Sequence, residues 1–251
     1  MFSDHCHRYN LVMNFKVLIL LLLQATVTSS ASAAEPPITA VVFAPNGESV
    51  IAASQSGLQI YGWPDLQRRK TIECEAANLH CVAFSPDGKH LTVGGGTPSE
   101  DGSVEVFSWP TCQRVSLHIE HVDSVQSVAW QSSTSLLSAG IDRQIKIFDL
   151  VPSGNRSKTT LVSPQPTDKE NNQTFDGHSR SVSDLCLLDD RQTFVSAGVD
   201  QSLRVWDIES GQLVRSLNQH TGAVHDLALR PASEGLPMVA SAAADRTIRF
   251  W

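Results

Sequence analysis

The sequence predicts an all-β protein, a β-propeller of four-stranded antiparallel blades. Three observations carry this reading: a short motif recurs along the chain, alternating strand patterns end on an aromatic residue at matching intervals, and residues 35 to 251 show no sustained helical period. The motif is Val41-Val42-Phe43-Ala44-Pro45-Asn46-Gly47, repeated as Val82-Ala83-Phe84-Ser85-Pro86-Asp87-Gly88. Its first three positions return as Val128-Ala129-Trp130, Leu185-Cys186-Leu187 and Leu227-Ala228-Leu229, so the third residues lie 41, 46, 57 and 42 apart. The closing aromatics are Tyr61, Phe107, Phe148, Trp206 and Trp251. Units of roughly 40 to 45 residues, each with room for four short strands, are the period of propeller blades.

Residues 1–34 precede the repeats. Lys16 is followed by the apolar run Val17 to Leu23 and then by small and polar residues ending Ala31-Ser32-Ala33-Ala34. A basic start, a short apolar stretch and an Ala-x-Ala cleavage site make a signal peptide, and predict export to the periplasm or cell exterior. Gln24, Thr26, Thr28, Ser29 and Ser30 hold the apolar run below the roughly 20 residues a membrane span needs. No stable span is expected after cleavage. Met13 is a more typical start than Met1, and the His5-Cys6-His7 cluster is not expected to reach the exported protein.

The propeller is expected over residues 35–251. Hydrophobic residues make up 41% of the chain and charged residues 18%, which excludes disorder. The formal net charge is −7, and beyond residue 34 it is −8. That balance disfavours nucleic acid and anionic lipid, whose binding depends on clustered Lys and Arg, so neither is expected as a partner. Cys74, Cys81, Cys112 and Cys186 lack the dense spacing of a disulfide scaffold and contain no Cys-x-x-Cys. Cys81 and Cys186 fall in apolar strand patterns and read as core residues.

Within each unit, alternation such as Ile145-Lys146-Ile147-Phe148 or Leu203-Arg204-Val205-Trp206 predicts strands with one face in the core and one in solvent. Asn46-Gly47 and Asp87-Gly88 supply tight turns. Gly94-Gly95-Gly96 leads into no helix and lacks the Lys-Ser/Thr of a phosphate loop, so it reads as a flexible turn.

These residues resemble the WD-repeat β-propellers, whose units carry Gly-His, a Ser, an Asp four residues later, and Trp-Asp. Gly177-His178, Ser196, Asp200 and Trp206-Asp207 match throughout. His220, Ser241, Asp245 and Trp251 match in the last unit, and His121, Ser138, Asp142 and Phe148-Asp149 match in the third with Phe for Trp. The first two units lack the His. They share Trp63-Pro64 with Gln67-Arg68 and Trp109-Pro110 with Gln113-Arg114 instead, and Gln55 stands where the first unit's Asp would be. The resemblance covers residues 38 to 251 and implies about four and a half blades, part of a seven-bladed propeller that is truncated at its C-terminus. Seven such units would need about 300 residues.

Ser196, His178 and Asp200 are also the residue types of a hydrolase triad. Their spacing repeats in three units, Ser to Asp always by four residues and Asp to the aromatic always by six. An active site occurs once per domain. The resemblance therefore implies structural tetrads in which Asp accepts from His while Ser and the Trp indole complete the chain. No catalytic residue, metal site or cofactor is expected. His118 and His225, single histidines on strand patterns, read as ordinary core or surface residues.

Function is then expected on faces and loops. About five extra residues near Thr97 to Asp101 lengthen a loop of the second unit, and an insertion at about 151–172, bearing sequons at Asn155 and Asn172, is expected to be flexible. The resemblance places partner contacts on the Asp-turn face at Ser124, Gln126 and Ile141, at Ser181, Ser183 and Val199, and at Ala223, His225 and Ala244. The expectation is a non-catalytic protein-interaction scaffold. Its rivals are an exported propeller enzyme or cofactor-binding module, and a propeller fused to a catalytic or electron-transfer domain beyond residue 251.

Overall fold

The computed structural model describes residues 36–150, 177–230 and 238–251, together with the backbone of 157–162. The expected signal peptide, both sequons and the remainder of the 151–172 insertion lie outside the described residues. Among those described, every regular element is a strand.

The first sheet holds β1 (Ile38–Phe43), β2 (Ser49–Ser54), β3 (Gly57–Gly62) and β4 (Arg68–Ile72). The second holds β5 (Leu79–Phe84), β6 (His90–Thr97), β7 (Asp101–Ser108) and β8 (Arg114–His121). The third holds β9 (Val125–Trp130), β10 (Ser135–Gly140), β11 (Gln144–Asp149) and β12 (Ser157–Val162). The fourth holds β13 (Val182–Leu187), β14 (Thr193–Gly198), β15 (Leu203–Asp207) and β16 (Leu213–Leu217), and the fifth β17 (Val224–Arg230), β18 (Met238–Ala243) and β19 (Ile248–Phe250). Each sheet is an antiparallel meander in chain order. The first strands β1, β5, β9, β13 and β17 lie side by side at the centre, so the sheets radiate as propeller blades. β12 falls inside the expected insertion.

The tight turns arise where expected. In Ala44-Pro45-Asn46-Gly47 the Gly47 N–H donates to Ala44 O at 2.8 Å, and in Ser85-Pro86-Asp87-Gly88 the Gly88 N–H donates to Ser85 O at 2.9 Å. Both glycines sit at φ near +70°, which costs glycine nothing. The two Trp-Pro turns share one geometry: Phe43 meets Trp63 edge-on at 5.4 Å, and Phe84 meets Trp109 edge-on at 5.2 Å.

Two local readings need correction. Gly94-Gly95-Gly96 is not a turn but lies within β6. A Cβ at Gly95 would stand 1.9 Å from Asn78 O, and one at Gly94 would stand 2.7 Å from both Cys81 Sγ and Val125 Cγ1. Close packing of the backbone, not flexibility, requires glycine there. The extra residues near 97–101 do not form a long loop either. They extend β6 and β7, whose pairing runs to Thr97 opposite Asp101.

The alternating strands are also buried on both faces rather than one. Leu136 of β10 joins Val104, Val106 and Phe148 between the second and third sheets. Its neighbour Leu137 joins Ile147, Phe194 and Trp206 between the third and fourth. Every inner sheet is sandwiched by its neighbours, so each fully buried Leu, Ile or Phe contributes about 1.5–3 kcal/mol of transfer free energy. Lys146, expected in solvent, is buried and its ammonium donates to Glu120 O. Ile248 and Phe250 of β19 remain exposed. All four described cysteines are free, and burial pushes the Cys74 and Cys186 thiols up to about 12.

Candidate functional site

Three sheets build the same polar chain from the outside inward. A segment entering the sheet brings its histidine under the hairpin between the second and third strands. The second strand supplies the serine, the hairpin the aspartate and the third strand the aromatic. In the fourth sheet His178 Nδ1 meets Asp200 Oδ1 at 3.0 Å, His178 Nε2 meets Ser196 Oγ at 2.7 Å, and Trp206 Nε1 donates to Ser196 Oγ at 2.8 Å. In the fifth, His220 meets Asp245 at 2.8 Å and Ser241 at 2.7 Å, and Trp251 donates to Ser241 at 2.9 Å. In the third, His121 meets Asp142 at 2.9 Å and Ser138 at 2.7 Å, while Phe148 supplies no indole donor. A neutral histidine carrying its proton on Nδ1 satisfies all of these at once: indole donates to hydroxyl, hydroxyl to Nε2, and Nδ1–H to carboxylate.

The aspartates are secured further by the hairpin. Asp200 accepts from Ser179 N, Ser202 N and Ser202 Oγ at 2.9, 3.2 and 2.7 Å. Burial alone would raise its pKa, but these bonds and His178 outweigh burial and hold the carboxyl well below the usual carboxylate range. Asp142 is lowered by the same balance. For Asp245 the Thr247 hydroxyl leads, followed by the Thr221 N–H.

Although this is the connectivity of a hydrolase triad, the serines are enclosed. Ser138 and Ser196 are 0% exposed and Ser241 is 1% exposed. The indole N–H groups of Trp206 and Trp251 also engage the Ser196 and Ser241 hydroxyls, at 2.8 and 2.9 Å.

The first two sheets place Ala52 and Val93 at the serine register and anchor themselves differently. In the first, Tyr61 Oη donates to Gln59 Oε1, and Gln59 Nε2 donates to Ser56 Oγ at 3.1 Å. In the second, the wholly buried Glu105 accepts from Glu75 N at 2.7 Å, Ala76 N at 3.4 Å and Arg114 Nη1 at 3.3 Å. Glu105 and Lys146 occupy equivalent positions on β7 and β11. Each reaches the chain leaving the preceding sheet, the acid taking N–H groups and the base a carbonyl. Asp101 lacks a histidine partner and accepts from Thr97 N at 2.9 Å.

The expected face residues divide into two groups. Gln126, Ser183 and His225 line a central cavity of about 530 Å³ with Thr39 and His80. The others pair by backbone beside each hairpin: Ile141 N to Ser124 O at 3.0 Å, Val199 N to Ser181 O at 2.9 Å and Ala244 N to Ala223 O at 2.8 Å. Ser124 departs from the expected set because its side chain is wholly buried. The lengthened β6–β7 hairpin is tied down beside it through Ser99 N to Asp123 Oδ1 at 2.9 Å. His118 is buried against Phe148 with ring centroids 4.6 Å apart, and burial lowers its pKa.

Two features escaped the sequence reading. Asp184 on β13 bridges three central strands, accepting from Ser127 Oγ on β9 and from Leu227 N on β17, both at 2.8 Å. Burial, aided by nearby Asp226, raises its pKa to about 7. Its signal was an acid inside an otherwise apolar or small-residue strand. The second feature is the residue following each hairpin aspartate, which is Arg143, Gln201 or Arg246. No group of three or more metal-binding side chains occurs among the described residues, nor is any helix there long and apolar enough to cross a membrane.

Comparison with known proteins agrees with this architecture. The solved structure of U3-55K superposes with a TM-score of 0.69 at 22% identity, covering 88% of this chain and 62% of that one. The B-type cell cycle switch protein ccs52A of Medicago truncatula is 30% identical over 195 residues, 76% of this chain and 37% of its own length. The periodic tryptophan protein 2 homolog of Dictyostelium discoideum is 31% identical over 69% of this chain and 17% of its own. The ribosome biogenesis protein WDR12 homolog of Nematostella vectensis is 31% identical over 61% and 40%. The chain thus spans less than half the length of these curated relatives. The family model described as WD domain, G-beta repeat matches residues 66–108, 112–149, 169–207 and 211–251. With four matched repeats across most of its length, the chain belongs to the WD domain, G-beta repeat family.

Proposed function

We propose that this chain is an exported, non-catalytic protein-interaction scaffold that presents its partner surface on the face carrying the Asp hairpins. The observation that carries the non-catalytic reading is the enclosure of Ser138, Ser196 and Ser241, three copies of one chain of bonds with no open approach to a hydroxyl. The repeated framework is committed to holding strands, which leaves hairpin tips and the central cavity to meet other molecules. Relatives named for a cell cycle switch and for ribosome biogenesis support a role defined by assembly. The basic start, apolar run and Ala-x-Ala site in residues 1–34 support export.

The test places a photo-crosslinking amino acid at Val199, on the hairpin face, or at Arg191, on the opposite turn. One discrete adduct from Val199 and none from Arg191 is the expected result. Equal labelling from both sites, or a hydrolytic activity that disappears in a folded Ser196→Ala variant, would overturn the scaffold reading. N-terminal sequencing of the secreted chain should begin near residue 35, and retention of the whole chain in the cytoplasm would overturn export.

A further inference from the structure

The hairpins of the third, fourth and fifth sheets share one backbone geometry. Arg143 N donates to Gly140 O at 3.2 Å, Gln201 N to Gly198 O at 3.2 Å and Arg246 N to Ala243 O at 3.0 Å. Arg143, Gln201 and Arg246 all adopt left-handed φ, at 67°, 72° and 64°. Non-glycine residues reach this region sparingly. Here it sets the residue at the tip of each hairpin, next to an aspartate already engaged by histidine and backbone N–H groups. Arg180 lies on the same face, one residue after Ser179, whose N–H donates to Asp200 Oδ2 at 2.9 Å.

None of Arg143, Arg180 and Arg246 forms an ion pair among the described residues, whereas Arg69 and Arg114 elsewhere do. The exposed Asp226 lines the central cavity instead. Apart from the hairpin aspartates Asp142, Asp200 and Asp245, already engaged by histidine and backbone N–H groups, the acids in the segments at this end of the sheets are Glu73 and Glu75 between the first and second sheets, and Glu100, Asp101, Glu120 and Asp123 from the β6–β7 hairpin to the start of the third sheet. A chain of net charge −7 thus concentrates three uncommitted guanidinium groups over its third, fourth and fifth sheets. Guanidinium pairs with carboxylates in a forked geometry that lysine cannot match.

We propose that this half of the face is a docking surface for an acidic segment of a partner protein, with Arg143, Arg180 and Arg246 as its carboxylate-binding contacts. The proposal deepens the scaffold reading and rests on it.

Fluorescence anisotropy with the full chain and a labelled Glu-rich peptide, set against the same peptide with Gln for Glu, tests it. The decisive variant carries R143Q, R180Q and R246Q together. Gln201 already occupies the equivalent tip at the same φ, so glutamine is compatible with this turn. A control variant carries R68Q, R69Q and K70Q on β4. The expected result is binding of the Glu peptide only, weakened about tenfold or more by the hairpin variant and by raised salt, and little changed by the β4 control. No preference for the Glu peptide, or equal loss in both variants, would overturn the proposal. A Val199 adduct that survives the hairpin variant unchanged would overturn it while leaving the scaffold reading in place.

Discussion

Asp200→Ala probes the tetrads most directly. The substitution removes the acceptor of four bonds, from His178 Nδ1, Ser179 N, Ser202 N and Ser202 Oγ. The Ser179 N–H lies at an exposed residue and regains water. His178 and Ser202 are buried, at 2% and 6% exposure, so the Nδ1–H and the hydroxyl lose their partner in a dry environment. Each stranded group costs about 1–3 kcal/mol, which puts the loss near 3 kcal/mol or more. At about 2–4 °C per kcal/mol for a chain of this size, Tm should fall by about 6–12 °C. Urea unfolding should show a lower midpoint with an unchanged slope. Asp200→Asn, which keeps one acceptor oxygen, should lie between parent and Asp200→Ala. Equal melting temperatures for parent and Asp200→Ala would refute the argument that this carboxylate organises the blade.

Other substitutions follow from the same geometry. Trp206→Phe reproduces the Phe148 arrangement and forfeits the bond to Ser196, so it should cost about 1 kcal/mol from that bond plus a packing loss; no change in urea midpoint would count against the indole donor. Glu105→Ala strands the Glu75 and Ala76 N–H groups, and should cost about 1–3 kcal/mol and accelerate hydrogen exchange at those two amides, whereas unchanged exchange rates would dismiss Glu105 as their partner. Gly95→Ala drives a Cβ against Asn78 O and should cost about 1–3 kcal/mol or more, measured by thermal melting; a fully stable variant would show that β6 has room to move. For Asp184, a folded pKa raised to about 7 against about 3.9 unfolded means that the folded state holds the extra proton between these values. Its stabilising contribution is present at low pH and is lost as pH rises through about 7. Asp184→Asn should remove that loss, so the difference in urea midpoint between variant and parent should grow from about pH 5 to about pH 8; parallel pH profiles would refute it.

How much of this was legible in the sequence depended on how local the signal was. The repeat period and closing aromatics predicted propeller blades because each blade is a unit whose internal pairing repeats. His178, Ser196, Asp200 and Trp206 could be grouped before any geometry was known, since constant spacing along a meander brings the same positions together in every sheet. Gly94 to Gly96 carry no local mark of their strand, because glycine looks alike in a flexible turn and in a strand pressed against a neighbour. The bridging role of Asp184 is not legible along the chain, since its partners Ser127 and Leu227 lie 57 and 43 residues away, on two other blades.

From the sequence alone came the blades, their order and the three tetrads, all products of short-range spacing on antiparallel strands. The tertiary structure alone decided which faces are dry. Stacking one blade on the next buries Lys146 and Glu105, which a single strand pattern would leave in water, and makes each seek a partner on the preceding sheet. Stacking also buries Ser124 and leaves Arg143, Arg180 and Arg246 without an ion pair among the described residues, because burial and charge pairing depend on neighbours that are distant along the chain.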